Sequence, residues 1–294
     1  MGALGRAFVT TGVLILLFVT YQLWGTGLYT SREQDRLRDE FTASLEQDGE
    51  PATTTTTVVP VDPTVTTTTA PVSLPLFSRE GEPFAQLRIP RIGVDRIVVQ
   101  GISREDLRKG PGHYPDTPLP GQEGNVAIAG HRTTYGAPFG NLDLLEEGDK
   151  IFVRTAYGSF TYEVFLANFI VQPKDVEVLQ NDKFRPAILT LTTCNPKYSA
   201  AQRLVVQAVL QEEPLPASGG NNNPQLTEAG LSGEGSSKTP TVLAALVVAL
   251  IGGLWWLIFH RHPSLTNWLI GVLPFGAALF VFYALLERVL PSNY

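Results

Sequence analysis

The sequence predicts a mainly β domain, an antiparallel barrel or sandwich, flanked by apolar helices that anchor it in a membrane. Three observations predict it. Short stretches of alternating apolar and polar residues, punctuated by Gly, Pro and Asn, fill the middle of the chain. Three long apolar runs stand at the two ends. Two low-complexity stretches separate those ends from the middle.

Residues 7–28 ("AFVTTGVLILLFVTYQLWGTGL") carry no charge and match the length that crosses a hydrocarbon core of roughly 30 Å. A cleaved signal peptide is the competing reading. The run is long for that, and no small-x-small site precedes the polar stretch, so residues 1–30 are taken as an uncleaved anchor. Residues 31–75 form a juxtamembrane segment and a stalk, "PATTTTTVVPVDPTVTTTTAPVSLP", too polar and too rich in Thr and Pro to build a core. Its 25 residues, extended at about 3.1 Å each, reach up to roughly 80 Å. The folded domain occupies residues 76–213, and residues 214–240, rich in Gly, Ser and Asn, read as a flexible linker. Residues 241–294 hold the second and third apolar runs, separated by "HRHPSLTN", and read as a transmembrane helical hairpin. Trp255, Trp256, Trp268 and Tyr283 suit its interfacial belts.

Lys and Arg in short loops favour the cytoplasm, so Arg6 and Arg261 put both ends inside and the β domain outside the cell. Arg32, Arg36 and Arg38, just past the first run, point the other way. They are interleaved with Glu33, Asp35, Asp39 and Glu40, and the Arg261 loop and the stalk composition decide the assignment.

The formal net charge of −6 gives no reason to expect nucleic acid. A single Cys excludes an internal disulfide and paired-Cys zinc patterns, and four scattered His make no metal cluster. Within the domain, "NVAIAGH", "AILTLTTC" and "RLVVQAVL" are strand signals. Helical turns are expected around residues 103–109 and 138–145. Alternation gives each strand two faces. In the second segment Ala187, Leu189 and Leu191 share one face and Thr190, Thr192 and Cys194 the other. Leu204, Val206, Ala208 and Leu210 lie opposite Arg203, and Val126 and Ile128 lie opposite His131. With the apolar faces inward, Cys194, His131 and Arg203 end strands on a shared outer side. Ile188, Val205 and Val209 lie on that side too, so a loop covers it or an apolar groove runs along it.

A lone Cys is ordinarily a small buried hydrophobe, and a lone Arg ordinarily a surface ion pair. A thiol kept outside the cell, at a strand end before Asn195-Pro196, also suits a nucleophile. Such a thiolate needs a proton donor for the leaving group and donors for the oxyanion, which His131 and Arg203 can supply. Near pH 7.5, unperturbed Cys and His are each about a tenth in the active form, so both are active together about one per cent of the time. His113, in "GPGHYPDTPLPG", competes with His131 but reads better as a loop contact with Tyr114.

"TLTTC" with Arg203 nine residues on, preceded by "NVAIAGHRTTYGAPFGNLDLLEEGDKI", resembles the sortases: Thr190, Leu191, Thr193 and Cys194 match the family's TLxTC signature. His131 and Arg203 fall where its His and Arg are expected. The stalk, "GPGHYP" and "GHRTTYGAPF" are most similar to class E sortases of high-GC Gram-positive bacteria. The C-terminal membrane hairpin departs from the single anchor usual in the family. The resemblance implies a closed eight-stranded β-barrel with short helices, to which the apolar runs add one N-terminal and two C-terminal transmembrane helices. It implies a cysteine transpeptidase with no cofactor: Cys194 attacks the Thr-Gly carbonyl of an LPxTG- or LAxTG-like signal, His131 serves the departing and incoming amines, and Arg203 holds the oxyanion, with Thr193 nearby. By the same resemblance Tyr114 favours Ala in the signal, and residues 171–186 wall the groove. The implied partners are secreted proteins bearing a C-terminal sorting signal and an amine of a peptidoglycan precursor. Two rival readings remain: a hydrolase of the same signals, and a stalked binding module with a structural Cys. An L,D-transpeptidase-like enzyme would want His-Gly before its Cys.

Overall fold

The structure, a computed structural model, describes residues 3–48, 79–181, 184–216, 239–261 and 265–289. The Thr- and Pro-rich stretch and most of the 214–240 linker lie outside the described residues.

Eight strands close into a barrel: β1 (Pro83–Ile89), β2 (Val94–Gln100), β3 (Gly112–His113), β4 (Gly124–Ala129), β5 (Lys150–Thr155), β6 (Gly158–Val171), β7 (Ala187–Asn195) and β8 (Gln202–Leu210). Their order around the barrel is β1-β2-β3-β4-β7-β8-β6-β5. The sheet is mixed rather than antiparallel: β2 pairs with β3, and β4 with β7, in parallel. The β5–β6 hairpin and the loop after it form the long connection that a parallel β4–β7 pair requires. The turn of that hairpin falls on Ala156 and Tyr157, just before Gly158.

The expected faces of the strands are borne out. Val126, Ile128, Leu189, Leu191, Leu204, Val206 and Ala208 belong to the barrel core. Ile188 and Val205, on the outer face, are also buried. A 3-10 turn, Val176–Leu179, lies across this face. Asn125 Nδ2 donates to the carbonyls of Val178 and Gln180 at 2.9 Å, and Gln207 Nε2 to Val178 at 3.1 Å. The outer face is therefore loop-covered.

Five α-helices among the described residues flank the barrel or stand apart from it. At the N-terminus α1 (Ala3–Thr20) runs through a π-helical turn, Tyr21–Gly25, into α2 (Thr26–Asp48). A short α3 (Arg104–Lys109) starts at Ser103, whose hydroxyl accepts from the Asp106 N–H in a capping box. The expected turn at 138–145 is a 3-10 turn, Leu142–Leu144. The apolar C-terminal pair is α4 (Thr239–Arg261) and α5 (Leu265–Val289).

Much of the segment expected to be juxtamembrane is thus a helix seated on the barrel. Leu37 and Phe41 pack on Ile97 and Val99, each burial contributing roughly 1.5–3 kcal/mol. Because β3 is only two residues long, the backbone of Ile97 on β2 has no ladder partner on that side. Gln34 supplies one: its Oε1 accepts from the Ile97 N–H at 2.8 Å and its Nε2 donates to the Ile97 carbonyl at 2.9 Å.

The start of α4 meets the end of α5, where Thr241 Oγ1 donates to the Leu285 carbonyl, and Trp255 meets Phe275, so the two are antiparallel. Tyr283 of α5 donates to the Leu14 carbonyl of α1 at 2.7 Å, and its ring lies 5.1 Å from Phe18. Among the described residues one helix, Thr239–Ile258, is long and apolar enough to cross a membrane, with a mean hydropathy of 2.4; Ile270–Leu286 is a shorter apolar segment.

Candidate active site

The sequence-predicted groups meet at one end of three neighbouring strands. In the β7–β8 ladder Cys194 is the direct partner of Arg203. In the β4–β7 ladder the last pair is Ala129 and Thr192, and the pairing continues: the Gly130 N–H donates to the Thr192 carbonyl at 3.1 Å, and Thr193 Oγ1 donates to the Gly130 carbonyl at 2.7 Å. Carried one residue further, the same register makes His131 the counterpart of Cys194. The three groups thus form a row across β4, β7 and β8, where adjacent strands lie about 4.8 Å apart.

All three are buried: Cys194 is 1%, Arg203 2% and His131 4% exposed. Cys194 nevertheless stands outside the barrel core to which Leu191 belongs. Burial pushes its thiol up to about 11, and the Arg203 and then the Arg132 guanidinium oppose that rise. At neutral pH the sulfur is therefore protonated in this closed arrangement.

Arg203 Nη1 donates to the carbonyls of Ala200 and Gln202, both at 3.0 Å, which fixes the guanidinium against the β7–β8 connection. His131 lies at the root of a loop over residues 130–141. Its Nδ1 is 3.2 Å from Thr134 Oγ1, and its ring centroid is 4.9 Å from that of Tyr135. Gly130 leaves room for the loop's Phe139, since a Cβ there would come within 2.6 Å of the Phe139 ring.

Thr193 faces inward, and its hydroxyl is committed to Gly130; the geometry makes it a tie between the strand that carries the sulfur and the loop that carries the imidazole. Tyr114 lies on the outer face one pleat below the sulfur, its hydroxyl 3.2 Å from Thr192 Oγ1 and its ring among Leu107, Ala127, Ala129 and Leu179. His113 is elsewhere in character. Its Nδ1 is 2.9 Å from Gln100 Oε1, its Nε2 is 3.0 Å from the Pro118 carbonyl, and its ring stacks on Phe84. Complete burial drives its pKa down to about 4, against which the Pro118 carbonyl works.

Sequence reasoning missed Arg132. Its Nη1 donates to the Cys194 carbonyl at 3.0 Å and to Asn195 Oδ1 at 2.7 Å, while Nη2 lies 3.4 Å from Asp143. It clamps the end of β7 to the histidine loop. The sequence signal was its adjacency to His131, which by itself does not distinguish a clamp from a surface charge.

A family model described as the sortase domain matches residues 87–211, from β1 to just past β8. Residues 87–211 thus carry a sortase domain. Among curated relatives, sortase SrtE1 of Streptomyces coelicolor is 32% identical over 72% of this chain and 57% of its own length. Sortase SrtE2 of the same organism is 29% identical over 70% of this chain and 80% of its own. The chain thus spans little more than half the length of the first of them. Among solved structures, sortase E from Streptomyces avermitilis is 39% identical, covering 46% of this chain and 91% of that one, with a TM-score of 0.41. The relatives named as class E agree with the resemblance drawn from "GPGHYP" and "GHRTTYGAPF".

Proposed function

We propose that this protein is a membrane-anchored cysteine transpeptidase of the extracellular face, acting on proteins with a C-terminal LPxTG- or LAxTG-type sorting signal. The observation that carries the reading is the row of His131, Cys194 and Arg203 across β4, β7 and β8, outside the core. Cys194, as thiolate, attacks the carbonyl between Thr and Gly of the signal. Arg203 donates to the oxyanion, worth about 3 to 4 kcal/mol of barrier for one well-placed donor. His131 protonates the departing amine, leaving a thioacyl enzyme, and then takes a proton from the incoming amine of a cell-wall precursor. Arg132 and Thr193 hold the strand ends in register, and Tyr114 borders the signal's path.

The buried thiol sets a requirement. With its thiol pushed up to about 11, the closed site holds little thiolate near neutral pH, and the reading calls for signal binding to move the covering residues or present its own dipoles to the sulfur. The Val176–Leu179 turn, hydrogen-bonded to Asn125 of β4 and Gln207 of β8 and packed with Tyr114, is a covering element.

The membrane reading comprises three spans, α1, α4 and α5, with both chain ends inside and the domain outside. The contacts of Tyr283 with Leu14 and Phe18 and the large apolar side chains turned outward, Leu16, Leu246, Leu250 and Leu273 among them, support it. Confining enzyme, signal and a lipid-linked acceptor to one surface raises their effective concentration. Incubating the full chain with LPxTG and LAxTG peptides, with and without an amine, tests the reading. Amine-dependent ligated product supports transpeptidation; cleavage indifferent to amine indicates the hydrolase, and no cleavage by any peptide overturns both.

A further inference from the structure

The helix leaving the first apolar run is seated on the loop that carries His131. At the first turn of α2 the Tyr135 backbone N–H donates to Thr26 Oγ1 at 3.2 Å. One turn on, Thr30 Oγ1 donates to the Arg108 carbonyl at 2.8 Å, and Thr30 flanks Gly136, where an added Cβ would lie 3.7 Å from Thr30 Cγ2. The Arg108 guanidinium bridges helix and loop, 5.3 Å over the Tyr29 ring and 5.4 Å over the Tyr135 ring. Tyr135 in turn lies against the His131 imidazole.

The loop's backbone bears on what this contact does. Tyr135 (φ 52°) and Ala137 (φ 42°) both lie in the left-handed region that side chains disfavour. Such residues keep that conformation only where their surroundings over-determine it, and around Tyr135 those surroundings are Thr26, Arg108 and His131. The barrel wall alone does not require this helix turn: Gln34, Leu37 and Phe41, further along α2, already make the contacts with β2.

We propose that the first turn of α2 is a positioning element for the reaction: through Thr26, Arg108 and Tyr135 it fixes the His131 imidazole beside Cys194. The catalytic arrangement is complete only while the helix that continues α1 is docked on the barrel. The kinetic consequence rests on the function proposed above; the structural one does not. Because α1 is also gripped by Tyr283 of α5, the same helix links the apolar hairpin to the histidine loop.

The test uses the full chain in detergent or vesicles, with Thr26→Val combined with Arg108→Ala. A second variant, Thr26→Ser with Arg108→Lys, keeps the hydroxyl and the cation. Arg36→Ala, on the exposed face of α2 where Arg36 pairs with Glu33 and Glu40, is the control. The first variant is expected to lose roughly 10- to 100-fold in kcat, the range a small misplacement of a reacting group produces, with KM nearly unchanged. Amide exchange at residues 133–137 should speed up while β4 and β7 keep their protection. The conservative pair and the control should behave as wild type. Unaltered exchange in the loop overturns the proposal, and so does a faster loop with undiminished kcat. If the wild-type chain turns over no sorting peptide, the proposed function falls, and the exchange comparison still decides whether α2 holds the loop.

Discussion

Two histidines stand on neighbouring strands of this barrel and have opposite fates. His113, ending β3, has both ring nitrogens within hydrogen-bond distance of fixed partners, Gln100 and the Pro118 carbonyl, and a phenyl ring against its face. His131, just past β4, is held by the hydroxyl of Thr134, three residues on in the same loop, and by the ring of Tyr135, itself in a disfavoured backbone conformation. The first arrangement spends the imidazole on closing the barrel. The second mounts it on a loop in line with a sulfur and a guanidinium. The lesson is that burial alone does not separate a structural from a chemical histidine; what its partners can still do does.

The widest separation between the two is expected on substitution. His131→Ala should lower kcat by about 10²–10⁴, well beyond what any fall in the unfolding midpoint explains, because it removes the proton transfer proposed above. Arg203→Ala comes next, at about 10²–10³ in kcat, as the loss of one oxyanion donor. It should also raise the Cys194 thiol pKa further, since the Arg203 charge is the larger of the two that oppose burial. Finding equal losses from His113→Ala and His131→Ala, both tracking stability, would break the comparison.

The pH dependence of stability sharpens it. The folded pKa of His113, about 4, lies below its ordinary value of 6.5, so the unfolded chain binds a proton first as pH falls. The stability tied to this depression is fully present above pH 6.5, is lost between about 6.5 and 4, and changes no further below that. The shift corresponds to about 3 kcal/mol, readable as a falling urea midpoint across that window, and His113→Gln should flatten it. Cys194 predicts the smaller effect at the other end. Its alkylation rate should keep rising with pH towards about 11 instead of levelling near 9, and a bound signal peptide should alter that profile.

The outer row was legible from alternation because strands have a period of two. Once Leu189 and Leu191 were assigned to the core, Cys194 had to face away, and Arg203 and His131 followed on the same rule. Strand pairing was not legible. Nothing local in "NVAIAGH" or "AILTLTTC" says that these segments run parallel, because the reason lies in the β5–β6 hairpin between them. The docked α2 was hidden for a related reason. Its buried stripe includes Thr30 and Gln34, polar residues that read as surface, and Gln34 is buried because it completes the backbone of a β2 edge left bare by a two-residue β3. Arg132 was invisible on the same grounds: its two partners near the sulfur, the Cys194 carbonyl and Asn195, lie more than sixty residues away.

The central claim is that the sulfur of Cys194, though buried, is the atom that takes the acyl group. Intact-mass measurement of the full chain after incubation with an LAxTG or LPxTG peptide tests it most directly. The account predicts an increment equal to the peptide's acyl portion, located on Cys194, absent in Cys194→Ala and discharged on adding an amine. Peptide cleavage without that adduct, or cleavage that survives Cys194→Ala, would contradict it.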